Sequence, residues 1–204
     1  MQRDSSGRRV RTFKRTVDVI VALPGVTLVC VLAPWIALAN RFTGDGGSVF
    51  YCAQRIGEGG RTFNLLKFRT MRPADGPSLT FRNDPRVTVI GRILRRSKVD
   101  ELPQLVNVLR GDMSVVGPRP ESPEYIDWSD PLQIAVISAK PGLTGPSQLA
   151  YLHEEELLID DVQYRTVIHP RKLAIDYSYL QCVSPRRDLR IILATLRVLI
   201  FRAR

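Results

Sequence analysis

Between Val17 and Ala39 the chain carries a single charge, Asp18, in an otherwise apolar run, VDVIVALPGVTLVCVLAPWIALA. A run of that length can cross a bilayer as a straight helix. The residues before it are polar and basic, with Arg8, Arg9, Arg11, Lys14 and Arg15, and the positive-inside bias places that flank in the cytoplasm. Pro24 and Pro34 interrupt the run, and an internal proline removes a hydrogen bond and kinks a helix. Two readings stay open. One is a spanning anchor with the rest of the chain outside. The other is a helix bent at proline that enters and leaves by the same face, in keeping with the basic, disulfide-free character of everything after Asn40.

Residues 40–148 alternate short strand-like and helical patterns. In Ser48–Thr70 two strand-like runs flank Gly57, Gly59 and Gly60, which predicts a β-hairpin. The glycines do not make a phosphate loop, because no GK[ST] and no helix follow them. Lys67 and Arg69 fall near the end of the second strand, as sheet-edge charges or phosphate ligands. Asn83-Asp84-Pro85 is turn chemistry. Leu102, Leu105, Val106 and Leu109 recur at helical spacing within Ser97–Gly111, and Gly111 stops the pattern as a C′ glycine would. From Asp188 onward, Leu189, Ile192, Leu193, Leu196 and Leu199 interleave with Arg190, Arg197 and Arg202. That pattern suits a helix lying in a membrane interface or one packed on a core.

Composition narrows the class. Of 204 residues, 44% are hydrophobic and 25% charged, which excludes a disordered chain and a polytopic membrane protein. The net charge of +10 points to an anionic partner: nucleic acid, an acidic membrane surface or a phosphorylated substrate. Cys30, Cys52 and Cys182 lack metal-site spacing and read as free thiols, and His153 and His169 read as structural.

Asp100 and Glu101 are the candidate chemistry. Ser97 followed by Asp100 resembles a capping box, but that start would put Pro103 where it clashes with the preceding turn. A helix beginning at Val99 or Asp100 keeps Pro103 in the first turn and sets both carboxylates beside unpaired N–H groups. For the pair taken alone, ordinary capping is the stronger explanation. The Gly117-Pro118-Arg119-Pro120 turn tips the balance, since flanking prolines restrict Arg119 and arginine suits bidentate phosphate contact.

KFRTM (67–71), DELPQLVNVLRGDMSVVGPRP (100–120) and PGLTGPSQ (141–148) resemble the bacterial sugar transferase family, the monotopic phosphoglycosyl transferases, in its minimal form. The resemblance runs from about Lys14 to the C-terminus. It implies transfer of a phosphosugar from a UDP-sugar to polyprenyl (undecaprenyl) phosphate, with release of UMP, to begin assembly of a surface glycan. It further implies Asp100 as covalent nucleophile and Mg²⁺ ligand, Glu101 as an assistant that accepts or positions a proton, Arg119 and Lys67 with Arg69 as phosphate-binding residues, and Asp176 of DYSY as a functional aspartate. The fold it implies is α+β and helix-rich. Residues 1–40 would form a basic N-terminus and a re-entrant membrane helix broken at Pro34. Residues 41–204 would form a cytosolic, membrane-associated domain with a small hairpin or sheet and amphipathic interfacial helices. The expected place is the bacterial inner membrane with its anionic lipids, the domain facing the cytoplasm; a homodimer is compatible with this.

Two departures stand out. Ala33 replaces the serine common before the breaking proline, and Gln148 leads into Leu149-Ala150-Tyr151-Leu152-His153 instead of a Gly-Arg-Asn run, so the sugar does not carry over. The charge also admits two other classes: an anchored basic nucleic-acid-binding protein, for which no helix-turn-helix, RNP or zinc pattern is visible, and a non-catalytic scaffold, against which Asp100, Glu101 and Arg119 stand intact.

Overall fold

The computed structural model describes residues 3–42, 48–72, 80, 84–152 and 154–202. Asn83 and His153 lie outside them. The apolar run and its basic flank form one helix, α1 (Arg3–Phe42), with Pro24 and Pro34 both inside it. The helical backbone is therefore not interrupted at Pro34, and α1 continues past it to Phe42. The hairpin follows as expected: β1 (Phe50–Ile56) pairs antiparallel with β2 (Thr62–Phe68), Tyr51 opposite Lys67. Gly59 and Gly60 turn the chain at φ 70° and 79°, values that only glycine adopts without strain.

Next come α2 (Val89–Arg96), capped by Thr88 Oγ1 accepting from Gly91 N–H, and α3 (Gln104–Arg110), ended by Gly111 at φ 92°. The short strand β3 (Ser114–Val116) lies parallel to β4 (Gly142–Thr144), with α4 (Pro131–Ile137) on the connection. Three glycines permit this crossing. A Cβ on Gly142 would stand 2.0 Å from Gly117 N, and one on Gly145 would stand 2.2 Å from Gly117 O. Short helices α5 (Pro146–Ala150), α6 (Glu154–Leu157) and α7 (Asp161–Gln163) lead to a π-helical turn, Tyr164–Ile168, that opens α8 (His169–Leu180). The basic amphipathic segment is α9 (Pro185–Arg202).

The core is built along one face of α1, on which Ala22, Val29 and Ile36 recur every seven residues. Ala22 packs with Leu65, Leu105, Val108, Met113 and Tyr179. Farther along the same helix, Val29 and Ile36 pack with Phe68 and Leu94. Polar anchors fix the helix between these contacts and its basic end. Asp18 Oδ1 accepts from Ser114 Oγ (2.8 Å) and from Val115 N–H (2.7 Å). Arg15 donates to the carbonyls of Val108 and Leu109 in the last turn of α3. Lys14 reaches Asp188 at the start of α9 at 2.9 Å.

Candidate active site

The carboxylate pair does not open an α-helix. After α2, Lys98 takes a left-handed conformation at φ 58°, the one non-glycine with positive φ among the described residues. A single 3-10 turn, Val99–Glu101, follows, and α3 starts only after Pro103. The expected start at Val99 or Asp100 is corrected accordingly: proline can precede the first helical turn without loss, and the reversal at Lys98 uses the residues before it. Ser97 is no N-cap either, since its hydroxyl donates back to the carbonyls of Ile93 and Leu94. Capping also fails to explain Asp100, which is 6% exposed and whose Oδ1 has no hydrogen-bond partner.

The backbone brings cations to this turn. Asn107, fully buried on α3, accepts from Leu66 N–H (3.0 Å) and donates to Asn64 O (2.8 Å), locking α3 onto β2. Lys67, next along β2, then stands 3.7 Å from Glu101 Oε1, and Lys98 stands 4.0 Å from the same oxygen. The two carboxyls are driven apart electrostatically. Burial, and then the charge of Glu101, push Asp100 up to about 6 against the pull of Lys67, Lys98 and Arg95. Burial opposes ionisation of Glu101 too, but Lys67, Lys98 and Arg119 outweigh it and bring Glu101 to about 2. Lys67 itself is lowered by burial, with Glu101 restoring part of its charge.

Arg119 follows β3 in the Gly-Pro-Arg-Pro turn. Burial works against its charge, and Glu101, Glu154 and Glu121 sustain it, so that it stays protonated. Among the described residues no carboxylate comes within ion-pair distance of its guanidinium. Asp176 sits behind this turn rather than beside Asp100. It is buried on α8, where Oδ2 accepts from Ser147 Oγ at 2.7 Å and Oδ1 from Ser147 N–H at 3.3 Å. Burial raises it to about 6 despite those bonds and a contribution from the Arg119 backbone N–H. Asp176 thus ties α8 to the start of α5 and to the segment carrying Arg119.

Asp100, Glu101, Lys67 and Arg119 are therefore drawn together, and Asp176 supports them. Arg69 is not among them: its guanidinium donates to Ser48 O and Oγ and closes the open end of the hairpin. Sequence reasoning missed Lys98, Glu121, Glu154 and Lys172. Lys172 alone left a trace, one helical turn before Asp176 and so on its face.

A metal would have few protein ligands here. Among the described residues no group of three or more His, Cys, Asp or Glu side chains could hold an ion. The bare Oδ1 of Asp100 is nevertheless a hard oxygen donor, and Mg²⁺ is commonly held by one or two carboxylates together with substrate phosphates.

The model of the bacterial sugar transferase family matches residues 9–202. A UDP-glucose:undecaprenyl-phosphate glucose-1-phosphate transferase of Caulobacter vibrioides is 41% identical over 188 residues, covering 89% of this chain and 67% of its own. The exopolysaccharide production protein ExoY of Rhizobium meliloti is 37% identical, covering 90% of this chain and 83% of its own. An undecaprenyl-phosphate galactose phosphotransferase of Salmonella typhimurium is 33% identical across 99% of this chain but only 43% of its own length. The likeness runs from the first turns of α1 to the end of α9, through every segment that shapes the site, and the chain belongs to the bacterial sugar transferase family.

Proposed function

We propose that the protein transfers a phosphosugar from a UDP-sugar to polyprenyl phosphate, releasing UMP and forming polyprenyl-diphosphate-sugar, as the first step of a surface glycan. The observation that carries this reading is Asp100: a buried carboxylate with one bare oxygen in the field of Lys67, Lys98 and Arg95, with Arg119 acting on the neighbouring Glu101.

The residues suit a double displacement. Asp100 is ionised above about pH 6, and its poorly solvated oxygen attacks the phosphorus that bears the sugar. The bond from that phosphorus to the UMP oxygen breaks, and UMP leaves with the electron pair. An oxygen of polyprenyl phosphate then attacks the same phosphorus and returns Asp100 as a carboxylate. Lys67 and Arg119 meet the negative charge of the phosphates. Mg²⁺, held by Asp100 and the diphosphate oxygens, supplies further charge neutralisation when bound. Glu101, ionised down to about pH 2, is a poor proton acceptor, which favours a role in holding Lys67 and Lys98 in place.

The packing of α1 supports attachment to one face of the membrane. Val10–Phe42 is long and apolar enough to span a bilayer. Yet catalytic elements pack along it from Asp18 to Ile36, and a helix set straight across would draw Arg92, Arg95 and Lys98 into hydrocarbon. Its free face, with Ile20, Leu23, Leu28, Val31, Trp35 and Leu38, is exposed and apolar. In this reading α1 lies with that face in the cytoplasmic leaflet of the inner membrane and keeps both of its ends on the cytoplasmic side. Cysteines placed at Arg3 and Thr43 in a chain lacking Cys30, Cys52 and Cys182 should both label from the cytoplasm.

The reaction is tested by UMP release from a panel of UDP-sugars, glucose and galactose first, with polyprenyl phosphate and Mg²⁺ in nanodiscs. Mass spectrometry of enzyme quenched without lipid acceptor should find a phosphosugar on Asp100. Full turnover by Asp100→Ala, or an adduct elsewhere, would overturn the assignment.

A further inference from the structure

A buried ionic cluster stands behind Arg119 and takes no part in the chemistry above. Lys172 on α8 is 3% exposed. Its Nζ lies 3.0 Å from Glu154 Oε1, 3.2 Å from Glu154 Oε2 and 3.5 Å from Glu121 Oε1. The Tyr164 hydroxyl, presented by the π-helical turn, donates to Glu121 Oε2 at 2.9 Å. Ile56 N–H donates to Glu121 O at 2.9 Å, pinning the end of β1 to the segment just after Arg119.

Glu121 follows Arg119 by two residues on the same segment, and Lys172 gathers Glu121 and Glu154 within 3.5 Å of its Nζ. The charge of both carboxylates is felt at Arg119. Freed from the lysine, they would be poised to pair with the guanidinium. A guanidinium forked onto protein carboxylates offers fewer N–H donors to an incoming phosphate.

We infer that Lys172 is a positioning residue for anion binding: by holding Glu121 and Glu154 it keeps Arg119 open to the diphosphate. This rests on the reading of Arg119 as a phosphate ligand. A lysine serving packing alone would behave differently once the carboxylates are also removed.

The full chain in detergent is titrated with inorganic pyrophosphate and Mg²⁺ by calorimetry. Lys172→Met should weaken binding about tenfold or more, as loss of one partner in a buried charge cluster does. It should also raise KM for the UDP-sugar more than it lowers kcat. The triple variant Lys172→Met/Glu121→Gln/Glu154→Gln should return to within about threefold of wild type, because no carboxylate remains to capture Arg119. Glu154→Gln alone, which keeps Lys172 and is readily expected to fold, should bind pyrophosphate as tightly as wild type or more tightly. Unchanged affinity in Lys172→Met, a triple variant as weak as the single one, or weaker binding by Glu154→Gln would each overturn the inference. So would a wild type that binds no pyrophosphate, whereas UMP release reports separately on the transfer reaction.

Discussion

Asp100→Asn is expected to stabilise the protein while abolishing turnover. Asp100 is 6% exposed, and burial with Glu101 alongside raises it from 3.8 to about 6. An acid that holds its proton more tightly folded than unfolded destabilises the fold when it ionises. The penalty is absent below about pH 4, grows as pH rises to about 6, and stays constant above that. The interval from 3.8 to about 6 corresponds to ~3 kcal/mol. Asparagine carries no charge, but its amide enters a place where Oδ1 already lacks a partner, which returns ~1–2 kcal/mol of that gain. The net is ~1–2 kcal/mol, or ~2–8 °C in Tm for a chain of this size. Thermal unfolding of both proteins in one detergent, in steps from about pH 4 to about pH 8, measures it. The variant should be ~1–2 kcal/mol less stable at the acid end, where only the amide cost remains, overtake wild type as pH rises, and level off ~1–2 kcal/mol more stable above about pH 6. A variant less stable than wild type at neutral pH, or a gap indifferent to pH, would refute the burial argument.

The acidic limb of kcat/KM should follow Asp100 and move with its neighbours. Glu101→Gln removes a charge that raises Asp100 and should shift the limb below about pH 6, while Lys67→Met should shift it higher, both read from pH–rate profiles. Gly142→Ala places a methyl 2.0 Å from Gly117 N, backbone against backbone, and should cost more than ~3 kcal/mol in denaturant unfolding. Asp18→Ala leaves Ser114 Oγ and Val115 N–H without their acceptor in the core, for a loss of ~2–4 kcal/mol in the same assay.

Local signals were legible where local physics decides. Glycines between alternating runs foretold the hairpin, and Gly111 foretold the end of α3. The start of α3 was misjudged because Pro103 fits either the first turn or the residue before it, and nothing in the sequence announces a left-handed lysine at 98. Asp18 was visible as the one charge in an apolar run. Its partners, Ser114 and Val115, lie on a strand far along the chain and carry no signal of their own. Lys172, Glu121 and Glu154 escaped for the same reason: ion pairs between distant elements follow no spacing rule, and single charges on a basic chain look like solvated surface. Arg69 shows the converse, a motif residue whose guanidinium is taken up by Ser48 across the hairpin.

The way α1 threads both apolar clusters also sets an order of events during synthesis. It leaves the ribosome before Phe68, Leu94, Leu105 and Met113, the side chains that cover its inner face. Its inner face is complete only once Met113 and Tyr179 have emerged, and the later elements have no core to fold on without it. Folding of the later elements therefore depends on α1, the template on which the catalytic elements assemble. Cutting the chain after Asn40 would strip the remainder of one wall of its core, so the soluble-looking portion is not a detachable enzyme.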